Sequence, residues 1–405
     1  MKRFAAILTA FALVLGPAAA LAAAPEDAET APAVSAGIRA AEASAAAGME
    51  IGQGLPARSA VLMDQATGQV LFAKNEHEAL PPASVTKVMS LLLVMEAIDR
   101  GSLNVNTEVT CSDHAAAMGG SQIWLEPGEV MTVDDLLKAA AIGSANDAAV
   151  ALAEAVAGTE DAFVAQMNRR AAELGMKDTA FKNATGLDAP GHVTSAHDIA
   201  LMAAELLKHP LIQHYSTVWM SQLRGGTTQL VNTNRLVRTY QGITGLKTGT
   251  TAGAGSCLAA SAARDGLSLV AVVMGCATSN DRFAAGRALL DYGFATYTRF
   301  VPELPAAELR PVAVRRGAVR QVRAVCSPGR GFVVEKRLLP QVRQTVELPE
   351  QVEAPVAAGQ VLGRVVVRAG DTLLGEYPVT AAAAVGRMTF GRALGLLWRQ
   401  ARAMA

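Results

Sequence analysis

Two short runs, Ser59 to Asp64 and Gln69 to Lys74, concentrate apolar residues and are separated by Gln65-Ala66-Thr67-Gly68, a turn-forming stretch that predicts a β-hairpin. Pro81-Pro82-Ala83 then ends the extended pattern, and the period changes. Val85, Val88, Met89, Leu92 and Leu93 fall on one helical face. Helical spacing continues in Val133 to Ile142, Ala148 to Val156, Ala162 to Leu174 and Ala196 to Leu207, with Gly143 to Asp147 as a loop between the first two. Strand character returns only near Gly242. Cys257 to Ala263 and Leu267 to Gly275 then predict an antiparallel hairpin turning at Arg264-Asp265-Gly266. Strands at both ends thus enclose a helical middle, which predicts one α/β domain over residues 51–299.

Beyond Pro302 to Pro305, a linker-like stretch, the pattern is different. Val312 to Val325, Gly331 to Arg337, Gln344 to Leu348 and Val361 to Val367 are β-branched runs separated by Gly and Pro. They predict a small all-β sandwich over residues 306–382. Residues 387–405 switch again: Phe390, Leu394, Leu397, Trp398, Ala401 and Met404 share one helical face, Arg392 and Arg399 lie opposite, and Arg402 lies at the side. Such a helix suits a membrane interface, with its arginines reaching headgroups.

Composition narrows the setting. The 405 residues leave room for about two domains, and 36 Lys and Arg balance 36 Asp and Glu, which argues against general nucleic-acid binding. From Val301 onward the chain carries fifteen Lys and Arg against eight Asp and Glu, so the tail is basic and suits an anionic surface. Met1-Lys2-Arg3 followed by the apolar run Phe4 to Leu15 and the small-residue site Ala20-Leu21-Ala22 reads as a signal peptide over residues 1–22. A flexible Ala-, Glu- and Ser-rich segment follows over residues 23–50. The expected location is therefore outside the cytoplasm, on the outer face of the membrane. The four cysteines, Cys111, Cys257, Cys276 and Cys326, have no CxxC pair and no companion histidines, so zinc is not expected. Cys257 and Cys276 flank the second hairpin and lie where pairing is open, but buried free thiols are the expectation.

Three short motifs carry chemistry. In Ser84-Val85-Thr86-Lys87 a serine opens a helix and a lysine follows one turn later on the same face. That spacing lets a neutral amine take the serine proton, provided burial and nearby positive charge lower the lysine's pKa. Alone, such a pattern is expected about once by chance in a chain of this length. Ser144-Ala145-Asn146 offers a hydroxyl for proton relay and an amide for orienting a substrate backbone. Lys247-Thr248-Gly249 offers fixed positive charge, a hydroxyl donor, and a glycine that admits a close backbone. In this order the three motifs form the set known from penicillin-binding proteins and class A β-lactamases.

The chain resembles the low-molecular-mass, type-5 penicillin-binding proteins, the serine D-Ala-D-Ala carboxypeptidases of peptidase family S11. The likeness rests on Pro82 to Lys87, Gly119-Gly120-Ser121 through Leu125-Glu126-Pro127-Gly128-Glu129, and Ser144-Ala145-Asn146-Asp147-Ala148. It extends to Asn183-Ala184-Thr185-Gly186-Leu187, Gly191-His192, Asn232-Thr233-Asn234 and Gly245 to Gly249. The resemblance implies an antiparallel sheet with helices on both sides, a helical subdomain and a β-sandwich tail. It implies Ser84 as nucleophile, Lys87 as general base and Ser144 as proton relay. Asn146 would position substrate, and Lys247, Thr248 and Arg282 would hold its terminal carboxylate. The oxyanion hole would use the backbone N–H groups of Ser84 and Thr250, with Gly249 beside them; many relatives have His or Tyr where this chain has Thr250. The implied partners are a peptidoglycan stem peptide ending in D-Ala-D-Ala, β-lactams as covalent inhibitors, and a membrane surface, with no cofactor or metal.

Three other readings compete. A class A-like β-lactamase needs a carboxylate about 36 residues past its second-motif serine, and Thr179-Ala180-Phe181-Lys182-Asn183 supplies none. A non-catalytic wall-binding scaffold has no use for an intact Ser84, Lys87, Ser144 and Lys247. Endopeptidase action on D-Ala cross-links is disfavoured by Arg282 and the β-rich tail.

Overall fold

Alternation of buried side chains across five strands explains why two helical layers can share one sheet. The computed structural model describes residues 54–303, 309–326, 329 and 331–404, so the segments read as signal peptide and flexible lead-in lie outside the described residues. Strands β1 (Ser59–Asp64), β2 (Val70–Lys74), β3 (Ile243–Thr251), β4 (Gly255–Arg264) and β5 (Leu267–Cys276) form an antiparallel sheet in the order β2-β1-β5-β4-β3. Ala60, Leu62, Leu258, Ala260, Leu269, Ala271 and Val273 point to one face. Val61, Met63, Cys257, Ala259, Val270, Val272 and Met274 point to the other. Both faces are covered, so the central strands read as nearly continuous apolar runs. The turn between β4 and β5 carries the positive φ values of Asp265 (49°) and Gly266 (77°), as a two-residue hairpin requires.

On one face lie α1 (Lys87–Asp99), α2 (Val133–Lys138), α3 (Asn146–Ala157), α4 (Glu160–Glu173) and α5 (Ala196–Leu206). Helix α1 is buried almost all round rather than along the single predicted stripe, because it runs between the sheet and the other helices. Its α-helical part also starts later than expected. Ala83–Thr86 is a 3₁₀ turn, so Ser84 lies just ahead of the α-helix. The helix predicted to reach Ile142 changes to a π segment at Ala139–Gly143 and stops at Ser144, which has φ 65°. Only Ser144 and Ala145 separate it from α3, a shorter link than the predicted loop. Two small two-stranded sheets, Glu108–Thr110 with Val130–Thr132 and Met220–Leu223 with Thr228–Val231, had no clear signal in the sequence pattern.

The opposite face is covered by α6 (Ser279–Thr296), whose start is fixed by a capping box between Thr278 and Asp281. Tyr297–Phe300 continues from it and pairs with Phe332–Glu335 of the tail. The tail is all β, with a three-stranded and a four-stranded sheet around Val312, Val314, Val322, Val365, Val367 and Val379. The run predicted from Val312 to Val325 is three strands, broken at Arg316 to Arg320 by a tight loop. Helix α7 (Phe390–Met404) follows. All four cysteines are free thiols; Cys326 is half-buried and the others are buried. Among the described residues no helix is long and apolar enough to cross a membrane.

Helix α6 approaches the sheet closely because Gly286 and Gly293 face it. A β-carbon at Gly293 would lie 2.5 Å from Leu269 Cδ1 and 2.8 Å from Leu62 Cδ2, and both leucines are fully buried. Gly293→Ala gains about 1 kcal/mol of helix propensity, yet overpacking typically costs about 1–3 kcal/mol. We expect net destabilisation, read as a lower urea midpoint; a raised midpoint would show that the layers separate freely.

Candidate active site

Ser84 is held in a turn wedged between two backbones. Ala83, just before it, has φ 50°, a left-handed value that a non-glycine residue adopts only under constraint. The constraint comes from two glycines. A β-carbon at Gly186 would lie 1.8 Å from Ala83 O, and one at Gly249 would lie 2.8 Å from Pro82 O and 2.9 Å from Ser84 N. Both positions must be glycine for the turn to sit so close to β3 and to the 183–188 loop. The first amides of a helical turn have no partner within it, which leaves Ser84 N–H available.

Lys87 opens α1 and is fully buried. Its Nζ donates to Ser84 Oγ at 3.1 Å, Asn146 Oδ1 at 2.5 Å and Thr185 O at 2.8 Å. Loss of water holds this amine well below the ordinary lysine value, the charge of Lys247 adds to the effect, and Asp147 opposes it. A depression in this direction favours the neutral amine that a base for a serine hydroxyl requires.

Asn146 is fixed on three sides. Its Nδ2 donates to Gly119 O at 2.6 Å, its N–H donates to Ser121 O at 2.7 Å, and its Oδ1 accepts from Lys87. The neighbouring Asp147 carboxylate accepts from the amides of Ile123, Leu125 and Ala148, so α3 clamps the 119–125 loop. Ser144 is buried beside them at the end of the π segment, a distortion common at functional sites. Its hydroxyl is not among the three acceptors of Lys87.

Strand β3 forms the opposite wall. It lies at the sheet edge, so among the described residues no further strand pairs with its outer side. Lys247 is buried, its Nζ donates to Thr248 O at 3.1 Å, and burial followed by the Arg282 charge lowers its pKa to about 7. Thr248 Oγ1 donates to Thr233 Oγ1 at 2.7 Å, and Asn232 and Asn234 fix that segment through Val218 O and Gly245 O. From α6, Arg282 Nη1 donates to Gly249 O at 2.9 Å and Thr250 Oγ1 at 2.8 Å. The Thr250 hydroxyl in turn donates to Gly249 O, and the buried Arg282 Nε has no partner. Desolvation lowers the Arg282 pKa as well. Among the described residues, Lys87, Lys247 and Arg282 form no ion pair with a carboxylate, so the charge of Arg282 is not neutralised within the protein.

The structure thus brings Ser84, Lys87 and Asn146 together on one side and Lys247 to Thr250 with Arg282 on the other, with Gly249 against the Ser84 turn, while Ser144 is buried nearby in the chain without a bond to Lys87. Several supporting groups had no assigned role. Thr185 contributes only its carbonyl, which no side-chain pattern reveals. Asn183 Oδ1 accepts from the amides of Thr185 and Gly186, shaping that loop. His192 Nδ1 accepts from Lys182 N–H, so its Nε2 carries the proton and donates to Thr86 Oγ1 at 2.9 Å. Burial pushes its pKa down to about 4, which keeps the ring neutral. Asp188 crosses the cleft rim by accepting from Thr251 Oγ1 and Gly253 N–H.

A half-buried serine facing a buried lysine held below its ordinary pKa, beside an edge strand that carries Lys247 and is met by Arg282 from α6, defines a serine acyl-transfer enzyme of the penicillin-binding type. The pattern of the D-alanyl-D-alanine carboxypeptidase family matches residues 44–278, and that of the penicillin-binding protein 5 C-terminal domain matches residues 307–387. The chain belongs to the D-alanyl-D-alanine carboxypeptidase family. It is 43% identical over 329 residues to D-alanyl-D-alanine carboxypeptidase DacF of Bacillus subtilis, covering 80% of this chain and 85% of the relative. Penicillin-binding protein 5 from Haemophilus influenzae superposes with a TM-score of 0.73 at 29% identity, over 82% of this chain and 98% of that one. Penicillin-binding protein D2 from Listeria monocytogenes, in its ampicillin-bound form, gives a TM-score of 0.55 at 30% identity, over 60% of this chain and 98% of that one.

The wedge around Ser84 makes a direct prediction. Gly249→Ala inserts a methyl group against Pro82 O, Ala83 Cβ and Ser84 N. Small displacements of reacting groups cost about 100-fold in rate. Labelling by fluorescent penicillin should slow by at least about that factor, with the thermal transition retained. Labelling at the native rate would mean that the strand and the turn do not constrain each other.

Proposed function

We propose that this chain removes the terminal D-alanine from peptidoglycan stem peptides ending in D-Ala-D-Ala, through an acyl-enzyme on Ser84. The observation that carries this reading is the set of bonds from buried Lys87 to Ser84, Asn146 and Thr185, facing Lys247 and Arg282. Ser84 Oγ attacks the carbonyl between the two D-alanines while its proton passes to neutral Lys87 Nζ. The developing oxyanion is held by the N–H groups of Ser84 and Thr250. Collapse expels D-alanine, and its amine takes a proton from Lys87 by way of the Ser144 hydroxyl. Water then hydrolyses the ester and regenerates Ser84. Asn146 orients the peptide backbone, Gly249 admits it, and Lys247, Thr248 and Arg282 hold the terminal carboxylate.

The β-lactamase alternative lacks a base for the second step. Asn183 stands in the relevant stretch, and its side-chain oxygen is occupied by backbone amides. A β-lactam should therefore acylate Ser84 and remain. A pure scaffold would not need Lys87 to be desolvated.

The decisive experiment is release of D-alanine from diacetyl-Lys-D-Ala-D-Ala with penicillin as inhibitor. We expect Ser84→Ala to abolish release and labelling, and Lys87→Ala to slow acylation about 100- to 10,000-fold, the usual range for losing a general base. Arg282→Ala should harm peptide hydrolysis more than penicillin acylation, and equal losses would refute its carboxylate role. Rapid penicillin turnover would favour the β-lactamase.

The protonation of Lys247 gives a pH test. Its charge is present below about pH 7 and is lost above it in the free enzyme. A substrate carboxylate favours the charged form. KM should therefore rise as pH increases through 7, and the rise should vanish in Lys247→Arg, which stays protonated. An unchanged KM across that range would remove Lys247 from carboxylate binding.

The further assignments are an export signal over residues 1–22, a lead-in over 23–50, a catalytic domain over 51–299, a sandwich over 306–382 and an interfacial helix over 387–405. Exposure of Phe390, Leu397 and Trp398 on α7 supports a membrane surface as partner and the outer face of the membrane as location.

A further inference from the structure

The tail sandwich carries a loop beside the base of α7 that the catalytic reading does not use. It joins Val312–Arg315 to Gln321–Val322 and is closed by Val314 N–H donating to Arg320 O at 2.8 Å. Arg316 has φ 56°, and a β-carbon at Gly317 would lie 2.7 Å from Val314 Cγ1 and from Val319 O. The loop is therefore tight and fixed in shape. It is also tied to the segment that leads into α7: Ala318 N–H donates to Gly386 O at 2.8 Å, and Met388 N–H donates to Arg316 O at 2.7 Å.

The side chains it presents are unusual for a β-domain tip. Val319 is 58% exposed, with Met388 and Phe390 exposed on the adjoining segment. Arg316, Arg320 and Arg323 are exposed around it. The carboxylate in contact with this loop is Glu353, at 3.8 Å from Arg316 and 3.7 Å from Arg315. Among the described residues Arg320 and Arg323 form no ion pair. An exposed valine among exposed arginines in one loop, bonded to the segment that leads into an amphipathic helix, has the chemistry of an anionic bilayer interface.

We propose that residues 316–323 form a second membrane contact, with Val319 entering the interface and Arg316, Arg320 and Arg323 engaging anionic headgroups. It rests on the reading of α7 as interfacial and adds to it. A helix alone swivels on its linker, whereas a helix plus a rigid loop tied to its base fixes the tail domain's attitude on the surface.

The test is co-sedimentation of the mature, full-length protein with phosphatidylcholine vesicles, with and without phosphatidylglycerol. Each basic residue near an anionic surface contributes about 1 kcal/mol, so Arg316→Glu with Arg320→Glu should weaken binding to the anionic vesicles by about thirtyfold or more. Arg316→Lys with Arg320→Lys should restore it, which separates charge from misfolding. Val319→Asp should weaken binding to both vesicle types, and Leu394→Glu with Leu397→Glu should abolish binding to both. If the helix variant abolishes binding while both loop variants bind normally, the loop proposal fails and the helix reading stands. If no variant matters, both fail. If the loop variants lose affinity for isolated cell-wall sacculi but not for vesicles, the partner is the wall and the membrane proposal is overturned.

Discussion

The structure turns on burying Lys87 without a counter-ion. Taking an ammonium group out of water costs several kcal/mol even after relaxation, and a lysine meets that cost by giving up its proton. Here burial and the nearby Lys247 act in the same direction, while the one opposing carboxylate, Asp147, is already engaged by three backbone amides. An ion pair to Lys87 would have held its charge and removed the base. In its neutral form the amine keeps two donors, for Asn146 Oδ1 and Thr185 O, and turns its lone pair to the Ser84 hydroxyl.

That constraint explains the layered architecture. Desolvation of Lys87 needs a seam between two packed layers, and α1 supplies it by running between the sheet and the helical subdomain. Reactivity also needs an opening, which the edge position of β3 provides. The same strand brings Lys247 in from the side, so one element both admits substrate and depresses the base. Because Gly186 and Gly249 press on the Ser84 turn from two directions, Ser84, Lys87 and the edge strand pack as one unit.

Much of this was legible in the sequence, for identifiable reasons. Strands β1, β2, β4 and β5 were visible because two covered sheet faces demand apolar runs of strand length between turn residues. Ser84, Lys87, Asn146 and Lys247 were visible because their chemistry resides in side chains at regular spacing. The Thr185 carbonyl was not, since every residue carries one and only the fold aims it. The π segment before Ser144 follows from packing Ala139 to Ile142 against neighbours, which helical periodicity does not encode. The 3₁₀ turn at Ser84 was missed for a related reason: the two glycines that force it lie 102 and 165 residues downstream.

Arg282 shows how far such remote control extends. It reaches Gly249 O and Thr250 Oγ1 from the second turn of α6, so its position depends on where that helix starts and how near the sheet it lies. The capping box at Thr278 and Asp281 fixes the start. Gly286 and Gly293 fix the distance, since each faces a buried leucine side chain within 2.8 Å of where a β-carbon would stand. The hydroxyl of Thr250 completes the link by accepting from Arg282 and donating to Gly249 O, which ties the Gly249–Thr250 peptide to α6. In a relative with a histidine or tyrosine at this position, that compact bridge would be replaced by a larger ring. The threonine thus couples the position of Arg282 on α6 to the stretch of β3 that packs against the Ser84 turn.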